Sequence, residues 1–151
     1  MKRVFILLMC VFLAFSVSGC GKTEDARDIL YRICADSELP SGVTYLSGAP
    51  EGSSSYLSHD TAEVMYGESA VDEVFPLVKD YAIYLSSFAE PYEVAVFECY
   101  SRSDTDEVAR MCLERAEVLK VALRGTQYSS IAETAKVEIK GKLVMMVVAG
   151  G

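Results

Sequence analysis

Apolar and polar residues alternate in several stretches of the second half of the chain, and this alternation predicts β-strands. Residues 81–85 alternate in this way, and after a short connection the mostly apolar residues 93–100 form a second predicted strand, so these two stretches form a predicted hairpin. Residues 137–140 alternate again, Gly141 supplies a turn, and residues 143–148 are apolar on both faces. The sequence therefore predicts two hairpins, the second of which ends in a buried strand.

Between the two hairpins, apolar residues recur at the three- and four-residue spacing of a helix. The helix is expected to begin after a capping region at residues 103–106 and to end at Gly125. Its apolar stripe consists of Val108, Met111, Cys112, Leu119 and Ala122. We predict one long helix in this part of the chain.

The first half of the chain begins with a predicted helix that is followed by a loop. Glu24 and Asp25 precede apolar residues at helical spacing over residues 29–34, which indicates a helix with acidic side chains at its positive end. Residues 37–58 are rich in Ser, Gly and Pro, and we interpret them as a loop with one short extended piece at residues 43–46.

A second short helix is predicted after this loop, and it completes the order of elements. Asp60, with Glu63 three residues later, is expected to cap this helix, and Gly67 is expected to end it. The main order of helix, loop, hairpin, long helix and hairpin predicts an α+β fold. We expect one domain over residues 24–151, with a four-stranded, mostly antiparallel sheet and helices packed on one face.

The N-terminal residues have the build of an export signal. Lys2 and Arg3 give a positive start, an apolar run of twelve residues covers positions 4–15, and small residues follow. A membrane-spanning helix needs about 20 apolar residues, so an uncleaved anchor is the less favoured alternative. We predict that residues 1–19 are a signal peptide.

The end of this signal, Val17-Ser18-Gly19-Cys20, resembles the lipobox of bacterial lipoproteins. The resemblance implies cleavage between Gly19 and Cys20, and attachment of a lipid with palmitate-like chains to the Cys20 thiol. Burial of acyl chains at about 0.8 kcal/mol per methylene makes release into water rare, so the protein would stay at the outer face of the cell membrane. Residues 20–23 would then be the lipidated start and a short tether. The alternative is an ordinary secretory signal with an incidental Cys.

Charge and composition exclude two classes of protein. The chain has 22 acidic and 14 basic residues, and a nucleic-acid partner is not expected because such binding needs a basic face. The hydrophobic fraction of 51% excludes general disorder. Two of the 14 basic residues, Lys2 and Arg3, leave with the signal, which changes the net charge from -8 to -10. Anionic headgroups repel such a domain, so the lipid is expected to hold it at the membrane.

The second half of the chain resembles a family of uncharacterised Gram-positive lipoproteins that carry a lipobox, a linker and one domain of unknown function. The features that carry the resemblance are the stretch Tyr92 to Phe97, the helical pair Glu114-Arg115, Tyr128, and residues 137–148 around Gly141. The resemblance covers residues 80–148 and implies location and fold more than activity. The chain departs from the family at Lys142-Leu143, where a polar-aromatic pair is expected, and in lacking a terminal helix.

Three thiols are expected in the mature chain. Cys10 leaves with the signal and Cys20 takes the lipid, so Cys34, Cys99 and Cys112 remain, and an odd number of thiols cannot pair completely within one chain. A disulfide between Cys99 and Cys112 requires their Cα atoms to lie within about 7 Å. The interpretation that we favour is that these thiols are buried and free, and that they act as small hydrophobic groups.

The chain has few residues in arrangements typical of catalysis or metal binding. Ser58, His59 and Asp60 are the residue types of a hydrolase triad, but three consecutive side chains point in divergent directions and cannot relay a proton. No Cys-x-x-Cys or His-x-x-x-His spacing is present, so neither a metal nor a cofactor is predicted. The acidic residues at 104–107 are interpreted as stabilising the N-terminus of the long helix.

Four arginines lie in or beside the long predicted helix, and they could receive an acidic ligand. They are Arg102, Arg110, Arg115 and Arg124, and acidic residues lie among them at helical spacing. Because such neighbours pair readily on a helix surface, we expect surface ion pairs.

Nine tyrosines and no tryptophan favour a carbohydrate- or peptide-binding hypothesis, since tyrosine combines an apolar face with a hydrogen-bonding tip. Tyr45, Tyr56 and Tyr66 lie in or near the Ser/Gly-rich region and are the candidate ligand contacts. Tyr81 and Tyr84 lie on a predicted strand, where packing is the commoner role.

Our leading functional hypothesis is a non-catalytic binding module that recognises a peptide, an envelope component or a partner membrane protein. The alternatives are an envelope hydrolase or thiol enzyme that uses His59 or Cys99, and an accessory lipoprotein of an importer. A pocket that brings His59 within hydrogen-bond reach of a Ser or Cys nucleophile would favour the enzyme, whereas an open groove would favour binding.

Overall fold

The computed structural model describes residues 24–87 and 91–149. Gly19 and Cys20, the predicted cleavage and lipidation residues, lie outside the described residues. The α-helices are α1 (Ala26–Asp36), α2 (His59–Tyr66), α3 (Thr105–Leu123) and α4 (Ser129–Glu133). The strands are β1 (Gly42–Leu46), β2 (Val78–Ser86), β3 (Glu93–Cys99), β4 (Lys136–Lys140) and β5 (Leu143–Val148). A π-helical turn (Ala70–Val74) and two 3₁₀ turns (Phe75–Leu77 and Arg102–Asp104) complete these elements.

The strands form one antiparallel sheet in the order β1-β2-β3-β5-β4. The α+β class and both predicted hairpins are confirmed, but the predicted number of four strands is wrong, because the described residues form a sheet of five. The additional strand, β1, lies within residues 37–58, where we expected a loop with one short extended piece. It pairs with β2 along its whole length, from Gly42 opposite Ser86 to Leu46 opposite Ala82.

Glycine is required where β1 begins. A Cβ on Gly42 would overlap the backbone carbonyl oxygen of Leu85 and the ring of Tyr84, both on the neighbouring strand. The short edge strand can therefore lie this close to β2 only with glycine at this position.

Helices cover both faces of the sheet, so the prediction that they pack on one face is wrong. The β3 residues Val94 and Val96 pack in one apolar layer with Leu30 of α1. Their neighbours Ala95 and Phe97 point to the other face, where α2 and α3 pack. The reason is that β3 is apolar on both faces, as expected for a strand in the middle of a sheet, and each face needs its own cover.

Local capping fixes the ends of α1 and α3 as the sequence indicates. The Asp25 side chain accepts a hydrogen bond from the backbone N–H of Asp28 at 2.8 Å and so caps α1. Ser101 and Asp104 form a capping box just before α3, which agrees with the stabilising role predicted for the acidic turn. Gly125, with a φ of 76°, follows the end of α3.

The N-cap of α2 differs from the expectation. Ser58, not Asp60, caps this helix, because its hydroxyl accepts a hydrogen bond from the N–H of Thr61 at 3.2 Å. Gly67 ends the helix as predicted, with a φ of 92°. None of the described helices is both long enough and apolar enough to cross a membrane.

Candidate functional site

A cleft of about 570 Å³ opens where β1 ends and β2 begins, beside the N-terminus of α1. We call it the α1 cleft. Its polar lining includes Asp25 and Arg27 from the start of α1, Ser47 and Ser53 from the segment after β1, and Asp80 and Tyr81 of β2. Three segments that are far apart in sequence thus meet at one surface opening.

Asp80 joins these three segments. Its carboxylate accepts one hydrogen bond from the Ser47 hydroxyl and another, at 3.4 Å, from the backbone N–H of Ala26. The pairing register between β2 and β3 shifts between Val78 and Asp80, and an irregularity of this kind re-aims a strand side chain. A carboxylate is favourable beside the first turn of α1, because the free N–H groups there carry partial positive charge.

The charges around the α1 cleft favour a neutral polar or cationic ligand over an anion. Arg27 is a cation in the lining, and it pairs with Asp25 at 3.5 Å and with Asp28 at 3.8 Å. Asp80 adds a further negative charge. The positive charge of Arg27 is therefore offset by its neighbours, while serine hydroxyls and carboxylates remain to bind hydrogen-bond donors.

Tyr81 gives the α1 cleft a neutral phenol. Burial raises the pKa of Tyr81, and nearby Tyr56 and Asp80 raise it further. The hydroxyl therefore keeps its proton at neutral pH and can donate a hydrogen bond. Leu46, Ala49 and Pro50 add an apolar part to the lining, so the cleft combines both kinds of surface.

The three tyrosines named as ligand contacts lie in different surroundings. Tyr56 is 37% exposed and is close enough to Tyr81 to influence its ionisation. Tyr45 is partly buried against the core. Tyr66 is buried, with its ring centroid 5.7 Å from that of Phe75, and it also lines part of a smaller cleft of about 300 Å³. The structure does not bring the three together as one surface.

A buried ion pair fastens α3 to the sheet. Glu93 at the start of β3 is only 2% exposed, and it accepts hydrogen bonds from Nη2 of Arg115 at 2.8 Å and from Nε at 3.1 Å. The Tyr66 hydroxyl donates to the same carboxylate at 3.4 Å. Burial and the nearby Glu93 raise the pKa of Tyr66 well above its usual value, so this phenol remains a donor.

The expectation of surface ion pairs holds for Arg110 and is wrong for Arg115. Arg110 is exposed and pairs with Glu107 and Glu114 on its own helix. Arg115 lies on the face of α3 that packs on the sheet, and its partner is 22 residues away in sequence. Helical spacing identifies neighbours within α3 but gives no information about a partner on β3.

His59 lies at the start of α2 and is mostly exposed. Its Nδ1 is 3.3 Å from a Glu63 oxygen, and its Nε2 is 3.7 Å from an Asp72 oxygen. The Ser58 hydroxyl is used for the helix cap and for a contact with the Thr61 hydroxyl. The surroundings of His59 in the described structure are therefore carboxylates, and Ser58, His59 and Asp60 do not form a relay.

The three predicted thiols are free in the structure. Cys99 and Cys112 are fully buried in the same core layer, between β3 and α3, and Cys34 is partly buried on α1. Burial raises the pKa of Cys34 and of Cys99 to about 11, and it raises that of Cys112 further. Since the thiolate is the nucleophile, none of these positions favours thiol chemistry at neutral pH.

Asp80 and Ser47 are not among the site residues predicted from the sequence. The only local signal was that an acidic residue, Asp80, directly precedes the predicted strand at residues 81–85. No protein-family model, curated protein or solved structure matches this chain in comparisons with known proteins. The resemblance to Gram-positive lipoproteins therefore stays a prediction.

Proposed function

We propose that this protein is an extracytoplasmic lipoprotein, anchored to the outer face of the cell membrane through Cys20, and that its domain is a binding module that uses the α1 cleft. The observation that carries the proposal is that a residue lining this cleft lies close in sequence to the predicted lipidation residue. Asp25 lines it, and Asp25 follows the predicted lipidation residue by five positions.

The short tether limits how far the cleft can lie from the bilayer. Five residues span about 18 Å even when fully extended, at about 3.5 Å per residue. Cys20 would lie at the membrane surface, so the cleft opens near the headgroup layer. A ligand at this height is a peptide segment or the extracytoplasmic part of a membrane protein. The acidic domain itself is repelled by anionic lipids, which leaves the cleft available to such a partner.

The character of the α1 cleft supports binding of a polar peptide. Serine hydroxyls, two carboxylates and a neutral phenol bind backbone amides and basic side chains, and the apolar part of the lining accommodates a small side chain. The surroundings of His59 and the raised thiol pKa values give the alternative of a hydrolase or thiol enzyme no comparable support.

Anchoring is tested with the variant Cys20→Ser and the matched control Cys34→Ser. We expect the parent and the control to partition into the detergent phase, and Cys20→Ser to move to the aqueous phase or to retain its leader. Mass spectrometry should show a mature start at Cys20 with a mass increase of one diacylglycerol in the parent. A parent with an unmodified Cys20, or with Met1 retained, would overturn the anchor.

Binding is tested with a photocrosslinking residue at Ser53, which lines the α1 cleft, and separately at Ser130, which is exposed on α4. Each variant is irradiated in intact cells that carry the anchored protein. We expect one membrane protein or peptide to crosslink from position 53 and not from position 130. Equal capture from both positions, or none from position 53 while the anchor is intact, would contradict the binding module without affecting the anchor.

A further inference from the structure

His59 and Glu63 form the centre of a cluster that the sequence motifs did not identify. They are four residues apart on α2, so their side chains lie one above the other on the same helix face. The facing atoms are Nδ1 of His59 and Oε1 of Glu63, which are 3.3 Å apart.

This separation matches two ligands of one metal ion. Zinc lies about 2.0–2.1 Å from imidazole nitrogen and about 2.0–2.2 Å from carboxylate oxygen, in a tetrahedral arrangement. Two such ligands are separated by about 3.4 Å along the edge of the tetrahedron. The spacing of these two atoms is therefore compatible with a shared ion.

Two further carboxylates complete the cluster. Asp60 provides an oxygen, and the three candidate ligand atoms of His59, Asp60 and Glu63 all lie within 4.8 Å of one another. Asp60 is exposed, so its side chain is free to rotate toward the other two. Asp72, in the π-helical turn after α2, lies 3.7 Å from the other ring nitrogen of His59.

Asp72 brings a carboxylate from a separate element of the fold to the other side of the His59 ring. A histidine that binds metal through one nitrogen usually donates the N–H of the other to a carboxylate, which fixes the ring and strengthens its basicity. Asp72 lies beside the second ring nitrogen of His59, at an ion-pair distance of 3.7 Å, on a separate element of the fold. Each ring nitrogen of His59 thus faces its own carboxylate.

We propose that His59, Glu63 and Asp60 bind a divalent transition-metal ion, with Zn²⁺ the best match to one imidazole and two carboxylates, and that Asp72 positions the imidazole. Water completes the coordination, because the cluster is open to solvent. The ion links α2 to the π-helical turn through Asp72. This proposal is independent of the anchor and of the α1 cleft.

The experiment is a calorimetric titration of the reduced full-length chain, in detergent, with ZnCl₂ alone. We expect one Zn²⁺ per chain. His59→Ala should weaken binding at least tenfold, and Glu63→Gln should also weaken it. Asp72→Asn should weaken it about tenfold, at the lower end of the range for outer carboxylates because the site is exposed. The controls are Asp106→Asn, which changes an acidic residue on α3, and Cys34→Ser, which removes a partly exposed thiol.

The controls should stay within twofold of the parent. All the replaced side chains of the cluster are at least partly exposed, so the variants are expected to keep the circular dichroism spectrum of the parent. Absence of binding up to millimolar zinc would overturn the proposal. Unchanged binding in His59→Ala, or a loss of binding in Cys34→Ser, would also overturn it, because the ion would then bind elsewhere.

Discussion

The buried pair of Glu93 and Arg115 gives the most direct test of how the helical layer is attached to the sheet. Replacing Arg115 with Met removes the cation but keeps most of the side-chain length. It leaves the Glu93 carboxylate, 2% exposed, with only the Tyr66 hydroxyl as a side-chain donor in the described structure. Breaking a buried ion pair in this way costs about 3–5 kcal/mol. Arg115 retains 15% exposure, which gives water some access, so we expect about 3 kcal/mol.

A loss of this size is large for a single domain, whose free energy of unfolding is about 5–15 kcal/mol. The assay is urea unfolding of the full-length chain, followed by tyrosine fluorescence, since the protein has nine tyrosines and no tryptophan. With a slope of about 1.5 kcal/mol per molar urea, the midpoint should fall by about 2 M. The matched control is Arg110→Met on the same helix, whose ion pairs are exposed to solvent, so its urea midpoint should stay close to that of the parent.

The double variant Glu93→Leu with Arg115→Met separates the value of the pair from the cost of an unpaired charge. Both side chains become apolar with similar volumes, so we expect most of the lost stability to return. This variant also keeps the prediction testable if Arg115→Met alone does not fold. A midpoint shift below about 0.5 M for Arg115→Met, which is about 0.75 kcal/mol at this slope, would refute this explanation, as would a double variant no more stable than the single one.

Three further predictions concern stability. Gly42→Ala should cost about 1–3 kcal/mol, because the new methyl group overlaps the Leu85 carbonyl; an unchanged melting temperature would contradict this. Ser58→Ala should cost about 1 kcal/mol through loss of the α2 cap, whereas Ser130→Ala on the exposed surface of α4 should have little effect in the same melting experiment. The reduced protein should lose stability above pH 9, because the folded state raises the pKa of Cys99 to about 11 from 9.0 and that of Cys112 further. Below pH 9 both thiols keep their protons in the folded and the unfolded state, so their contribution to stability is present in full. Between pH 9 and the folded-state pKa, the proton is lost mainly in the unfolded state, and each thiol lowers the free energy of unfolding by up to about 1.4 kcal/mol per pH unit. Urea midpoints that stay constant between pH 8.5 and 10.5 would show that these thiols titrate alike in both states.

Part of the candidate site could be predicted from sequence and part could not. His59 and Glu63 are four residues apart, so their proximity follows from the helix alone. The pairing of Glu93 with Arg115 and the joining of Ser47 to Asp80 could not be predicted, because these partners lie on separate elements. Tyr66 was predicted to be a ligand contact near the Ser/Gly-rich region, but its ring is packed in the core against Phe75.

The sequence by itself determined the elements whose cause is local. Alternation, turns and caps placed the two hairpins and the helices α1 and α3, and the apolar stretch at residues 143–148 indicated that the last strand is buried. Only the tertiary structure decided that β1 joins the sheet edge, that α1 covers the opposite face from α3, and that Asp25, Ser47 and Asp80 meet at one cleft. Local patterns depend on side chains two to four residues apart, whereas these arrangements depend on which distant surfaces bury each other when the chain closes.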